Sequence, residues 1–468
     1  MACPVAGAPP SGKEKVLMDF LDACRFELSA VKAPDWAELY FGRSSSRSLF
    51  YSDRKIDEVS AGSTAGCSAR LLRGRETAFS VASGVERGSA ARVLRDVCSS
   101  ASLKAPSLPE EDFPLGRPDV YFPQDRSFLG DLDALLRRQC PWIRQLSMFC
   151  SAVDRGTAVV DAERAVSFHV ERCSFGASVV LERKGRVERG YSSLSAVGSA
   201  RDFFDGLDAE KIGLEALDEA LKNLQAVECP VGPMPVLLSE EAGGSIIHEA
   251  CGHGMEADLV FEEQSVFAGK MGKTVASELV TVVDDATLRG LYGSYRFDDE
   301  GTPAQRTVLV QNGVLKNYLS DRRTSRLYGV PLTGSGRRQN YASLPQPRMS
   351  NTFVLPGTDS RESMLEGIPF GLYVHRMGGG EVNTTTGEFV FEVTQGSLIE
   401  KGKITVPVKG ASLIGRGIEA LKGIRAVGRK IHMEPGTCGK GGQSVPVTDG
   451  QPSLLIDGLV VGGTATDR

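Results

Sequence analysis

Two of the five histidines in this 468-residue chain stand in one short stretch, His248-Glu249-Ala250-Cys251-Gly252-His253. Imidazole is the commonest neutral metal ligand, and a carboxylate beside it can act as general base on metal-activated water. That combination is the chemistry of a zinc hydrolase. The spacing, however, is one residue longer than on a regular helical metal site. At 100° per residue an i,i+4 pair lies about 40° apart around the axis, whereas an i,i+5 pair lies about 140° apart. Both rings can reach one ion only if a π-type bulge absorbs the extra residue, or if the helix ends inside the motif. Gly252 and Gly254 bracket His253, and glycine tolerates such a distortion.

A catalytic zinc ion takes three protein ligands and keeps a fourth position open. The local candidates for the third are Glu256 and Asp258, and the distant ones are Cys438, His375 and His432. Glu256 could swing back if the helix ends after His253, while Cys438 sits in a glycine-rich stretch, EPGTCGKGGQSVP, that could bring a thiolate close. The residues alone do not choose between them.

The elements that must carry these groups are legible in outline. Residues 13–32 show apolar positions at helical spacing, and WAELYF, SLFYSD, GCSARLL and TAFSVAS read as short strands before a helix at ARVLRDVCSSA. Residues 104–126 hold five prolines and read as a linker. DLDALLRRQCPWIRQLSMFC follows as a helix broken or ended at Cys140-Pro141, and residues 157–194 alternate like antiparallel strands, with His169 a structural residue on one of them. Residues 210–227 form an amphipathic helix, and Cys229-Pro230 begins the clearest boundary. Beyond it PMPVLLS is a strand, GGSIIHEACGH a helix entered from a glycine turn, and residues 275–410 a series of strands with a hairpin turn at Gln311-Asn312-Gly313. The expected class is α+β. An N-terminal α/β portion of antiparallel strands and flanking helices divides into 1–103 and 127–228 around the 104–126 linker. A β-rich domain, 229–468, carries the metal-site helix.

Composition narrows the functional classes. Apolar residues make up 41% and charged residues 24%, as in soluble globular chains. A net charge of −5 gives no reason to expect nucleic acid or an anionic membrane as partner. No apolar run approaches the roughly 20 residues needed to cross a bilayer. The ten cysteines include no CxxC, and the N-terminus lacks the basic-then-apolar order of a signal peptide, so a reduced cytoplasmic setting is expected. Three weaker features remain. Gly378-Gly379-Gly380 could let an extended peptide lie against a sheet edge, or be a plain glycine turn. Arg337 and Arg338 could meet a substrate carboxylate, but an exposed arginine pair is usually solvated, and they are read as a solvated surface pair. Gly415-Arg416-Gly417-Ile418-Glu419-Ala420 matches GxGxxA, but no parallel strand follows it, so dinucleotide binding is disfavoured.

Five blocks in order, GSIIHEACGHGMEAD, GSGRRQNYASLPQPRMSNTFVLPGT, GGGEVNTTTGEFVFEV, VPVKGASLIG and EPGTCGKGGQSVPV, resemble the TldD/PmbA family of metallopeptidases, densely in the C-terminal half and loosely before it. Within that family one kind of subunit carries His-Glu-x-x-x-His and the other has lost it. This chain looks like the first, the TldD kind. The resemblance implies that Cys438 is the third ligand of one zinc ion held with His248 and His253. With that ligand set Glu256 and Asp258 become groups behind the ligands, and Glu249, a carboxylate beside His248, is read as the general base. The implied activity is metal-dependent peptide hydrolysis, and if Gly378, Gly379 and Gly380 accept a peptide backbone at a sheet edge, extended or unfolded peptides are the substrate class. The implied assembly is a dimer, with a motif-lacking PmbA/TldE-type homologue or with itself. The alternative is a non-catalytic, peptide-binding or regulatory subunit holding a structural metal. Against it, a closed structural site generally uses four protein ligands and only three are evident here.

Overall fold

A computed structural model describes residues 12–29, 36–85, 88–105, 107–108 and 120–463. Most of the 104–126 segment read as a linker therefore lies outside the described residues. The fold is mixed α and β, with an N-terminal six-stranded sheet and a larger curled C-terminal sheet.

The N-terminal strands are β1 (Trp36–Ser52), β2 (Lys55–Arg73), β3 (Glu76–Ser83), β4 (Ile143–Asp161), β5 (Ala165–Arg183) and β6 (Arg186–Val197). They lie in the order β3-β2-β1-β4-β5-β6, every neighbour antiparallel. Each half is a meander with helices against it: α2 (Ser89–Ser100) lies on β2 and β3, α1 (Gly12–Ser29) lies beside β4 and β5, and α3 (Ser127–Gln139), α4 (Ala200–Asp205) and α5 (Ala209–Gln225) lie about the second three strands. The halves meet where β1 pairs β4 from Glu38↔Asp161 to Ser52↔Ser147.

Two local expectations change. WAELYF and SLFYSD, read as separate strands, are one strand, because β1 is paired on both sides and the ladder carries it through the polar Arg43–Arg47 stretch. The segment DLDALLRRQCPWIRQLSMFC is half helix and half strand. α3 stops at Gln139, Cys140 is extended at φ −135° and ψ 107°, and β4 begins at Ile143. A residue preceding proline is pushed out of the helical region, which places the break. Beyond it Leu146, Met148 and Cys150 alternate inward as a strand requires.

In the C-terminal sheet the buried strand Val236–Leu238 lies between two long neighbours, antiparallel Gln443–Ile456 and parallel Phe370–Val382. Gln443–Ile456 forms a hairpin with Ile424–Lys440, and Phe370–Val382 pairs with Glu388–Glu400. The Asn312-Gly313 turn has positive φ at both residues, 47° and 77°, and joins Gln311 to Val314, the two-residue hairpin its composition predicts. The GxGxxA match falls on strand Ala411–Arg416 and the helix Gly417–Lys422, which leads into the antiparallel Ile424–Lys440 strand, so no βαβ unit exists there. A Cβ at Gly417 would lie 2.7 Å from the Ala250 carbonyl, which accounts for the glycine by close packing.

The free face of the N-terminal sheet meets the C-terminal unit through buried ion pairs. Glu38 and Arg70, opposite each other on β1 and β2, are 3.1 Å apart. Arg70 also pairs with Glu300, and Arg338 reaches Glu38 at 2.5 Å. Arg322 meets Asp161 at 3.3 Å, and the half-buried Arg155 meets Asp299 at 2.9 Å. Arg337 and Arg338 are thus buried, not the solvated pair expected from sequence, because each guanidinium is desolvated against fixed acceptors.

Removing one member of a buried ionic network strands its partner and costs about 3–5 kcal/mol. Arg338→Leu should therefore lower the urea-unfolding free energy by about 3 kcal/mol with m unchanged. A loss under about 1 kcal/mol would show that the contact is not stabilising.

Candidate metal centre

The chain leaves the central strand at Leu238 and passes through Gly243 and Gly244, at φ 90° and 70°, into a helix at Ser245. The first turn is α-helical, with the His248 N–H donating to the Gly244 carbonyl at 3.0 Å. The next turn, His248–Gly252, is π-helical: the His253 N–H donates to the His248 carbonyl five residues back. A short 3₁₀ turn, His253–Met255, ends the segment. The wider turn brings round the second histidine, and the ring centroids lie 5.0 Å apart with their planes at 88°. Packing holds the distortion, since a Cβ on Gly252 would fall 1.8 Å from Met349 Sδ. The Met349 carbonyl is in turn bound by the buried Arg337 guanidinium.

Cys438 comes from the Ile424–Lys440 strand, and its Sγ lies 3.3 Å from His253 Nε2. One donor atom from each of His248, His253 and Cys438 falls within 4.8 Å of the others, and all three residues are buried. Both imidazoles are held from behind. Asp449 Oδ1 is 2.7 Å from His248 Nδ1, and Glu256 Oε2 is 3.0 Å from His253 Nδ1. Carboxylates in those positions fix the tautomer and leave Nε2 for an ion. Lys440 ties the arrangement together, with Nζ 2.9 Å from Glu256 and 2.8 Å from Asp258. Arg348 donates to the Cys438 carbonyl at 2.6 Å.

The charges fit a cation site. Burial opposes charging of His248, but Asp449 and Cys438 outweigh it and raise its pKa well above the ordinary value. Burial likewise opposes charging of His253, and Glu256 and Cys438 carry it up to about 10. Burial would raise the Cys438 thiol, yet the two histidines bring it down to about 5. Burial would also raise Glu256, but Lys440 and His253 hold it at about 2. A thiolate with two imidazoles is the nitrogen and sulfur donor set that suits zinc. Glu249, half-buried on the π turn, is raised by burial, against the opposing pull of His248 and His253.

The remaining candidates separate. Asp258 and Glu256 stand behind the cluster, while His375 Nε2 meets Ser397 Oγ at 3.2 Å and His432 pairs with Glu434 at 3.0 Å. Gly378, Gly379 and Gly380 are not a turn but part of the strand Phe370–Val382, in a stretch bulged against Glu388–Glu400. The parallel neighbour Val236–Leu238 reaches only Leu372–Val374, so among the described residues the other edge of Arg376–Glu381 is unpaired. Sequence reasoning missed Asp449, Lys440 and Arg348. Lys440 stands two residues after Cys438 and so carried a signal, whereas Asp449 lies 201 positions from His248 and carried none.

Comparison with known proteins shows the family of the chain. Residues 231–463 match the PmbA/TldA metallopeptidase C-terminal domain, and residues 37–101 match PmbA/TldA metallopeptidase domain 1. The chain is 36% identical over 458 residues to the metalloprotease TldD homolog of Haemophilus influenzae, covering 94% of this chain and 95% of the relative. It is 32% identical over 432 residues to a metalloprotease of Methanocaldococcus jannaschii, covering 89% and 94%. Among solved structures, TldE from Thermococcus kodakarensis superposes with a TM-score of 0.68 at 19% identity, over 96% of this chain and 100% of that one. A Thermotoga maritima protein does so with a TM-score of 0.74 at 20% identity and the same coverage. The chain belongs to the TldD/PmbA metallopeptidase family.

Two outcomes follow from the protonation pattern. The upward shifts of both histidines and the lowered Cys438 thiol favour two protonated rings beside a thiolate near neutral pH, so zinc uptake should release about two protons per ion. Below pH 5 the thiol should add to that number, and above pH 10 the number should fall as His253 deprotonates unaided. Calorimetry in buffers of different ionisation enthalpy reads it, and release of fewer than about one proton at pH 7 would contradict the charge pattern. Asp449→Asn should weaken zinc binding about 10–100-fold in competition with a chelator, with the fold unchanged.

Proposed function

We propose that this chain is a zinc-dependent peptidase in which His248, His253 and Cys438 hold one zinc ion and Glu249 is the general base. The observation that supports this most is the convergence of three buried donors whose two imidazoles are each backed by a carboxylate. Three protein donors leave a coordination position open, the arrangement of catalytic zinc sites. Zinc bound there would supply Lewis acidity toward a peptide carbonyl and toward water. Glu249 takes a proton from the attacking water and delivers it to the leaving amine. The burial that raises its pKa suits a group that must both accept and release that proton.

In this reading extended or unfolded peptides are the substrates. The unpaired edge of Arg376–Glu381 offers backbone donors and acceptors to an added strand, and Gly379 opens onto free space. Recognition is then mostly through backbone groups, with Gly378, Gly379 and Gly380 as the contact. The working assembly is a dimer, with a motif-lacking TldE-type chain or with a second copy. The competing reading, a regulatory subunit, requires a closed metal site, whereas only three such donors come together at this centre among the described residues.

Glu249→Gln should keep wild-type zinc content while cleavage of an unstructured peptide falls about 10²–10⁴-fold. Retained turnover in that variant would remove Glu249 as the base. A zinc-loaded wild-type chain that cleaves nothing, alone or mixed with a motif-lacking relative, would favour the regulatory reading.

A further inference from the structure

Away from the metal cluster, the loop Gln339–Tyr341 of the C-terminal unit lies across the N-terminal sheet. Its seat is built from two glycines that face each other, Gly42 on β1 and Gly66 on β2. A Cβ on Gly66 would fall 2.3 Å from the Tyr341 ring, so only bare backbone leaves room for that ring. Beside it a cleft of about 290 Å³ opens between the two units.

The cleft is lined by three arginines of the N-terminal sheet, Arg43, Arg155 and Arg172, and by no carboxylate among the described residues. Arg155 has Asp299 at 2.9 Å as counter-ion. Arg172 is different, because its contacts are the Tyr292 carbonyl at 3.0 Å and the Ser294 carbonyl at 3.2 Å. Carbonyls satisfy hydrogen-bond geometry but do not neutralise charge. Burial, and then Arg337 and Arg155, press the Arg172 guanidinium below its usual range, against a weaker opposing pull from Tyr292 and Asp299. A half-buried charge with no carboxylate in ion-pair contact is only partly compensated, and an anion arriving beside it would complete the pairing.

The other wall adds neutral donors. Gln339 Oε1 accepts the Ser444 N–H at 2.8 Å, and Asn340 Oδ1 accepts the Ala342 N–H at 2.9 Å. With the oxygens so engaged, both amide NH₂ groups are the donor ends. Arginine forks with neutral amide donors are the chemistry that binds phosphate and carboxylate oxygens. We propose that the cleft between the N-terminal sheet and the Gln339–Tyr341 loop binds the oxyanion group, phosphate or carboxylate, of a small ligand or a peptide terminus. Arg172 is the principal cation, Arg43 and Arg155 flank it, and Asn340 and Gln339 complete the shell. The bound group would touch both units at once. Pro446, which also lines the cleft, pairs with Thr437, the residue before Cys438.

The test uses the zinc-loaded full chain and inorganic phosphate, titrated by calorimetry against chloride at matched ionic strength. Phosphate should bind wild type and Cys438→Ser equally, which separates the cleft from the metal centre. Arg172→Gln should weaken it about tenfold or more, and Asn340→Ala, which leaves the arginines in place, should weaken it by a smaller factor. A short peptide with a free C-terminal carboxylate is then competed against phosphate, beside the same peptide amidated. Competition by the acid alone assigns the cleft to a peptide terminus, and competition by neither assigns it to a free anion. No binding beyond chloride overturns the proposal. So does wild-type affinity in Arg172→Gln and Asn340→Ala proteins that retain their circular dichroism and zinc content. Loss of phosphate binding in Cys438→Ser with retention in Arg172→Gln would move the anion to the metal centre and overturn it equally.

Discussion

The candidate site depends on one backbone hydrogen bond, from the His253 N–H to the His248 carbonyl. On a regular α-helix residues five apart diverge by about 140°, and no single ion could take both rings. Widening one turn to five residues is what puts the two imidazoles 5.0 Å apart. A π turn is a poor stretch of helix in isolation, so surrounding structure has to hold it. Met349 fills the place a side chain at Gly252 would need, and Arg337 grips the Met349 carbonyl from behind. The helix Gly417–Lys422 closes the other side against Ala250.

The hairpin Ile424–Lys440 with Gln443–Ile456 is the second half of the device. It contributes the thiol of Cys438, the carboxylate behind His248 and the ammonium behind Glu256, all from two paired strands. Because Cys438 and Asp449 ride on one ladder, their separation is set by strand geometry instead of by loop conformation. The cluster is also electrostatically self-consistent. Asp449 and Glu256, and then the thiolate, favour protons on the histidines, the histidines favour the ionised thiol, and a cation could take the place of those protons.

The N-terminal sheet is joined to this framework through charge. Glu38, Arg70, Glu300 and Arg338 form a buried network in which each guanidinium has a carboxylate partner. Such networks add little net stability compared with an apolar contact, but they penalise misalignment heavily. An interface of this kind fixes the orientation of the β-rich unit on the sheet. Arg172, at the rim of the same interface, is the place where that pairing rule is left incomplete.

By itself the sequence pointed to a chemistry and determined much of the local structure. The residue types of His248, Glu249 and His253 pointed to a metal and a base, their spacing called for a π-type distortion, and Asn312-Gly313 specifies its own turn. These are legible because they depend on neighbours a few residues away. The choice of Cys438 over His375, His432 or Glu256 was open in the residues, and only the resemblance to a family pointed to it. Tertiary structure decided what depends on distant partners. It placed Cys438 against His253 across 185 positions and Asp449 behind His248 across 201. It merged two short strands into β1, because pairing on both sides outweighs a polar stretch. It also buried Arg337 and Arg338, whose fate no local pattern could show, because an arginine is exposed or buried according to which acceptors the rest of the chain brings to it.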